Sequence, residues 1–181
     1  VADIASVSGT IQILEKYSIK PSKRYGQNFL IDKNIADKII EAANIQKDDV
    51  ILEIGPGIGS LTQQLARTGA FIESIEIDQK LIAALKENLA VHSNVTILKQ
   101  DAIHLNLQEL PKIPNKLVAN LPYNIASTLL INYLNDFENI RSYVVMVQKE
   151  VAQRILADFG SKDYGTITVK LNLMADIQTV A

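Results

Sequence analysis

From Val50 onward the chain alternates short apolar runs with stretches of helical period, and that alternation restricts its fold more than any other feature. Val50 to Ile54, Phe71 to Ile77, Val95 to Leu98, Lys116 to Ala119 and Tyr143 to Val147 each read as a strand. Near-continuous apolar runs of this length suit strands buried on both faces. Helical stretches lie between or after them: one through Leu61 and Leu65, one from Lys80 to Ala90 with Leu81, Leu85 and Leu89 at fourfold spacing, and two over 125–134 and 149–157. Strands joined through helices form βαβ units, whose crossovers make neighbouring strands parallel. The expected fold is therefore α/β and Rossmann-like, with a mostly parallel, doubly wound sheet. A last strand-like run, Thr166 to Leu173, precedes the end of the chain.

The first 48 residues read differently. Thr10 can cap a helix through Ile11, Leu14, Glu15 and Tyr17, which Pro21 stops. Lys20 to Gly26 is a basic, turn-rich linker. Asp32 then caps a second amphipathic helix with Ile35, Ile39, Ile40 and Ala43 on one face. We divide the chain into a helical segment with its linker, 1–48, and an α/β domain, 49–181. The first residue is Val1, so the start is expected to be processed or cut.

Composition removes several classes of function. With no cysteine there is no disulfide framework, cysteine-bound zinc or thiol catalysis. The two histidines, His92 and His104, are too few for most metal centres, so no metal is expected. No apolar run approaches 18 residues and no signal peptide opens the chain, which points to a cytoplasmic setting without a membrane partner. The formal charge of −2 carries no strong nucleic-acid footprint.

The motifs say more. In doubly wound sheets the ligand lies beyond the carboxyl ends of the strands. Glu53-Ile-Gly-Pro-Gly-Ile-Gly59 stands there after the first strand. Its glycines let the backbone turn tightly and approach a ligand. The spacing is G-x-G-x-G rather than the dinucleotide G-x-G-x-x-G, with Ser60 in the third glycine's place. Pro56 also removes an amide that a pyrophosphate could use. Such a loop suits a nucleoside better than a diphosphate, although a purely structural turn has the same look. Glu76 and Asp78 end the second strand, where a carboxylate can accept both ribose hydroxyl protons. Asp101, followed by Ala102, can accept from an adenine amino group or simply cap a turn.

Asn120-Leu-Pro-Tyr123 follows the fourth strand and is the sharpest signal in the chain. An exocyclic amine on a base is a poor nucleophile because its lone pair is delocalised into the ring. Two acceptors on its N–H bonds favour a pyramidal nitrogen. The Asn120 side-chain oxygen and the Leu121 carbonyl can be those acceptors, with Pro122 fixing the backbone. Tyr123 can stack on the base, an interaction worth about 1–3 kcal/mol.

Gly26-Gln-Asn-Phe-Leu30, Glu53-Ile-Gly-Pro-Gly57, Glu76-Ile-Asp78, Asp101-Ala102, Asn120-Leu-Pro-Tyr-Asn124 and Gln148-Lys-Glu-Val-Ala-Gln-Arg154 occur in that order. Over nearly its whole length the chain resembles the KsgA-type ribosomal RNA small-subunit adenine dimethyltransferases. The resemblance implies a class I methyltransferase fold and S-adenosyl-L-methionine as methyl donor. It implies dimethylation of N6 on two adjacent adenosines in a hairpin near the 3′ end of small-subunit rRNA. The implied partner is that rRNA in the immature small subunit, the implied process ribosome biogenesis, and the expected state a monomer. Carried over motif by motif, Asn28 and Leu30 line the methionine and sulfonium end of the cofactor. Gly55 and Gly57 approach its methionine and nucleoside, Glu76 holds the ribose and Asp101 reads the adenine. Asn120 and Leu121 orient the target N6 beside the cofactor, with Pro122 between them and the stacking Tyr123. Phe29 and Phe137 are further candidates near the sulfonium, with core packing the alternative for Phe137.

That family continues with a Phe- and Pro-rich motif and a small helical domain, neither of which precedes Ala181. The chain is therefore expected to be an amino-terminal fragment that binds cofactor with impaired activity. Lys20, Lys23 and Arg24 beside Tyr25 are candidates for RNA contact, as are Lys149, Arg154 and Lys162, among which acids are interspersed. Two rivals stand: a large-subunit rRNA adenine methyltransferase of the macrolide-resistance kind, and a non-catalytic ribosome-assembly or RNA-binding module. Ser60 and the lack of a catalytic His or Tyr/Lys pair disfavour a nicotinamide dehydrogenase.

Overall fold

The computed structural model describes residues 4–20 and 26–180. Five strands, β1 (Val50–Ile54), β2 (Phe71–Glu76), β3 (Val95–Lys99), β4 (Lys116–Asn120) and β5 (Ser142–Met146), form one sheet in the order β3-β2-β1-β4-β5. Every neighbouring pair is parallel. The order reverses beside β1, between β2 on one side and β4 on the other, so a crevice opens at the carboxyl ends of these strands. The expected Rossmann-like α/β fold is the one observed.

Burial follows from this order. Ile51, Leu52 and Ile54 of central β1 are sealed off from solvent, whereas every residue of edge strand β5 is half-buried. Alternate residues feed opposite faces. Ile51, Ile72 and Val118 meet α2 (Lys33–Ala43) and α3 (Ser60–Arg67). Leu52, Ile75 and Leu117 meet α5 (Ala126–Asp136) and α7 (Thr166–Met174). Phe137 packs at the rim of this second core, its ring 4.4 Å from that of Tyr133. It takes the packing alternative.

The amino-terminal helix departs from expectation at both ends. Ser6 caps α1 (Val7–Lys16) by accepting from Gly9 N at 3.1 Å. Thr10 lies inside the helix, buried, with its hydroxyl donating to the Ile4 carbonyl. The helix ends well before Pro21, which lies outside the described residues. Ser18 turns left-handed (φ 51°), and Ser18 N and Ile19 N close onto Glu15 and Leu14. This paired closure satisfies the last carbonyls without a proline. Residues 4–20 pack on the domain: Ile4 and Ile19 join Ile58, Leu81 and Ala84, the last two on α4 (Gln79–Asn88).

Asp32 does cap α2. Its buried face is Ala36, Ile39 and Ala43, while Ile35 points to solvent. A Cβ as small as that of Ala36 lets the helix lie close to the sheet, which rotates the face away from Ile35. At the opposite end of the sheet from the crevice, Lys116 donates to the Ala43 and Asn44 carbonyls and pairs with Asp49 at 2.8 Å. Burial pushes the Asp49 carboxyl up. The Gln46 N–H, Lys116 and Asn115 outweigh it and hold the group below its ordinary range.

The run 166–173, expected as a strand, is α7. Thr168 accepts from Gly165 N, donates to the Arg154 carbonyl, and is buried with Leu171 against α5 and α6 (Lys149–Ile155). Three-residue spacing of buried groups fits a helix. The β-branched residues here carry only a weak strand preference, which tertiary packing overrides. Among the described residues, no helix is long and apolar enough to cross a membrane.

Candidate functional site

A cavity of about 220 Å³ occupies the crevice at the carboxyl ends of β1, β2 and β4. Its floor is the turn after β1. Gly55 has φ +67°, and a Cβ there would come within 3.0 Å of the Pro122 ring. The turn after β1 and the turn after β4 therefore touch, and only a glycine permits the contact. Gly57 N donates to Glu76 Oε2 at 3.2 Å, and Asp78 N donates to Glu76 Oε1 at 2.9 Å. Burial raises the Glu76 carboxyl above its usual range, and these main-chain donors oppose the shift.

Asp78 is otherwise engaged. Its Oδ1 caps α4 through Lys80 N and its Oδ2 accepts from Gln27 Nε2 at 2.8 Å. Of the two acids at the end of β2, Glu76 is the one that lines the cavity. Asp101 lines it too, and Asp101 Oδ1 accepts from Ile103 N. One oxygen thus makes the turn cap that was its alternative reading. Ile77 and Ile103, both exposed, stand beside it in the cavity wall.

The segment 26–30 closes the cavity from outside. Asn28, Phe29 and Leu30 all line it, with Phe29 against Gly57 and Leu30 buried in the sheet core. The Asn28 carbonyl accepts from Asn120 Nδ2 at 2.8 Å. A carbonyl can only accept, so this bond fixes the Asn120 amide with its oxygen turned away. Asn120 Oδ1 is buried and has no hydrogen-bond partner among the described residues, as does Ser60 Oγ in the same wall. Unsatisfied buried acceptors are rare and call for an explanation. Leu121 and Pro122 complete the wall. Tyr123 does not line the cavity. It is half-buried beside it, its hydroxyl bonded to Asn28 Nδ2 and raised in pKa by burial and by the charge of Glu150.

The fold thus gathers Asn28, Leu30, Gly55, Gly57, Glu76, Asp101, Asn120, Leu121 and Pro122 around one cavity and sets Tyr123 at its edge. Sequence reasoning missed Gln27 and Glu53. Glu53 is buried in β1, accepts from Ser74 Oγ at 2.9 Å and lines the cavity. Burial, helped by the charge of Glu76, pushes its carboxyl up to about 7. A lone acid inside an apolar strand was the available signal. His104 is exposed and His92 half-exposed, and neither lines the cavity. No group of His, Asp and Glu among the described residues is arranged to hold a metal ion. Lys149, Arg154 and Lys162 are exposed, and of the first basic cluster Lys23, Arg24 and Tyr25 lie outside the described residues.

A profile of the family described as Ribosomal RNA adenine dimethylase matches residues 19–181. The chain belongs to this family. It is 43% identical over 171 residues to the Ribosomal RNA small subunit methyltransferase A of Alkaliphilus oremlandii, covering 92% of this chain and 60% of that protein. It is 42% identical to the protein of the same name from Clostridioides difficile, covering 98% and 63%. The chain thus spans about six-tenths of the length of these curated relatives. Among solved structures it is similar to a dimethyladenosine transferase from Plasmodium falciparum, with TM-score 0.70 and 34% identity over 78% of this chain and 51% of that one. It is also similar to the 23S rRNA methyltransferase ErmE, with TM-score 0.64 and 31% identity over 74% and 53%.

Proposed function

We propose that this member of the dimethylase family is the cofactor-binding and catalytic part of a small-subunit rRNA adenine N6-dimethyltransferase. The observation that carries the reading is the buried Asn120 Oδ1, without a hydrogen-bond partner among the described residues, on a side chain that lines a nucleoside-sized cavity together with Leu121. The residues fit S-adenosyl-L-methionine. Glu76 and Asp101 offer acceptors for ribose hydroxyls and an adenine amino group, with Ile77 and Ile103 as apolar neighbours for a flat ring. Asn28, Leu30, Gly55 and Gly57 would surround the remainder. Bound there, the cofactor would supply an electrophilic methyl group.

The protein's part is to present an amine. Asn120 Oδ1 and the Leu121 carbonyl accept the two N–H bonds of the target N6 and draw its lone pair out of conjugation. Neither is a strong base, so the proton leaves after the methyl has been transferred. Pro122, wedged against Gly55, keeps the acceptors at a fixed distance from the cavity floor. Tyr123, held through its hydroxyl by Asn28, offers a ring face to the base. An unpaired hairpin base costs only a few kcal/mol to splay out, which favours such a target. Small-subunit rRNA as partner and a cytoplasmic setting belong to the same proposal.

Methyl transfer to isolated small and large subunits, measured side by side, tests it. The expected product is N6-dimethyladenosine at two adjacent positions of small-subunit RNA. Asn120→Ala should lower the rate by about 10²–10³, the usual cost of a positioned polar group. Transfer to large-subunit RNA instead would favour the second reading, to which the ErmE likeness lends support. A folded chain that binds no cofactor would overturn the proposal.

A further inference from the structure

The segment 26–30 crosses the mouth of the cavity without belonging to any strand or helix. On the target side three hydrogen bonds hold it, one of them from Asn28 Nδ2 to the Tyr123 hydroxyl. Tyr123 N donates to the Gly26 carbonyl, and Asn120 Nδ2 donates to the Asn28 carbonyl. Downstream, Leu30 is anchored in the sheet core. On the ribose side a side-chain bond reaches across, from Gln27 Nε2 to Asp78 Oδ2 at 2.8 Å, between residues 51 apart in sequence. Asp78 N in turn donates to Glu76 Oε1, and Gly57 N to Glu76 Oε2. Hydrogen bonds therefore run around the cavity mouth from the ribose carboxylate, through Asp78 and Gln27, to the carbonyl that aims Asn120.

We propose that Gln27 is a positioning residue: its bond to Asp78 latches segment 26–30 across the cavity and so keeps the Asn28 carbonyl against Asn120. The consequence for methyl transfer rests on the functional reading above, but the latch itself does not. An ionised Asp78 can only accept, so Gln27 must present its NH₂ group, and the bond is charge-assisted and partly shielded. With the latch closed, Asn120 Oδ1 is aimed before any base arrives. With it open, the segment keeps its target-side contacts and the Leu30 anchor but loses its fastening to Asp78, and the Asn28 carbonyl holds the Asn120 amide less firmly. The latch also ties the two ends of the site together. A ligand that orders the Glu76–Asp78 corner orders the reacting asparagine as well.

Because the bond has a direction, it can be reversed. Gln27→Glu sets two carboxylates against each other and should open the latch most. Gln27→Ala only removes it. Asp78→Asn should be near neutral, since the Gln27 amide can turn over and accept, and asparagine still caps α4 well. Gln27→Glu combined with Asp78→Asn restores a bond of opposite polarity. The readouts are hydrogen exchange of the Asn120 side-chain amide by ¹⁵N-resolved NMR and calorimetric affinity for S-adenosyl-L-homocysteine, on samples shown to unfold cooperatively. Gln27→Ala should speed the amide exchange and weaken binding by about tenfold, in line with loss of one hydrogen bond to a charged group. Gln27→Glu should do more, and the double variant should return to within about threefold of the parent chain, because an amide again donates to a carboxylate there. Equal damage from Gln27→Glu with and without Asp78→Asn, or an Asn120 amide indifferent to all four variants, would overturn the latch. A parent chain that binds no S-adenosyl-L-homocysteine would instead count against the methyltransferase reading. The amide-exchange pattern would still decide the latch.

Discussion

Segment 26–30 and the connection from α6 to α7, residues 156–165, each contain a glycine with positive φ and an aromatic side chain, yet they are held in opposite ways. Gly26 is hemmed in: a Cβ there would lie 2.7 Å from Asn124 Oδ1 and 2.9 Å from Tyr123 N. Its neighbours bond to Asp78, Tyr123 and Asn120, partners 51 to 95 residues away in sequence. A Cβ at Gly160 would meet nothing within 4 Å beyond its chain neighbours, and Phe159 is 91% exposed. Within that connection the contacts are local ones, Ser161 N to Asp158 O, Tyr164 N to Ser161 O, and an edge-on pairing of Phe159 with Tyr164. A similar residue vocabulary thus yields a fixed wall in one place and an open loop in the other. The difference is set by what the rest of the chain brings to each.

The comparison can be broken by substitution. Gly26→Ala should cost the most, about 3 kcal/mol, from left-handed strain of about 1–2 kcal/mol and a clash with main chain of similar size. In a chain of this size that is a fall of about 6–12 °C in Tm by calorimetry, accompanied by loss of cofactor binding. A pH series sharpens the contrast next, because the raised carboxyl belongs to the walled side. Folded Glu53 keeps its proton up to about 7 against 4.5 for the ordinary group, so the folded state binds more protons between those values. Stability should therefore fall as pH rises through that window, by a few kcal/mol at about 1.4 kcal/mol per unit. Glu53→Gln, which can still accept from Ser74, should flatten the profile and raise Tm at pH 8. Gly160→Ala should cost only the backbone strain, about 1 kcal/mol, and leave cofactor affinity unchanged. Phe159→Ala should stay within about 0.5 kcal/mol in denaturant melts. If the two glycine variants proved equal, the contrast between wall and loop would fail.

What could be read from the residues divides along the same line. The strands were legible because a strand buried on both faces is mostly apolar, as β1, β2 and β4 are apart from residues such as Glu53 and Glu73. The glycine turn, Glu76 and Asn120 were legible because each directly follows or ends such a strand, and Asp101 because it lies just past the end of β3. Segment 26–30 was recognisable as a motif, but its fastenings were not, since the Asn28–Asn120 and Gln27–Asp78 bonds depend on which chain ends the sheet order brings together. The helix over 166–174 was misread for the same reason. Thr166, Ile167, Thr168 and Val169 favour a strand locally, and only the packing of Thr168 and Leu171 onto neighbouring helices decides otherwise. At the first helix, Ser6 rather than Thr10 caps because Ile4 folds back to be buried and brings its carbonyl to the Thr10 hydroxyl.

The sheet order also fixes a sequence of events during synthesis. β1 is central, but its second neighbour, β4, is encoded 65 residues later, as the Val50–Asn115 bond records. At about 5–20 residues per second, the nascent chain waits roughly 3–13 s between the two. Throughout that interval the most apolar strand shows a bare edge, and Asp49 lacks the lysine that neutralises it. The first half of this protein thus leaves the ribosome with its weakest point uppermost, and the emergence of Asn115 and Lys116 is the moment at which it closes.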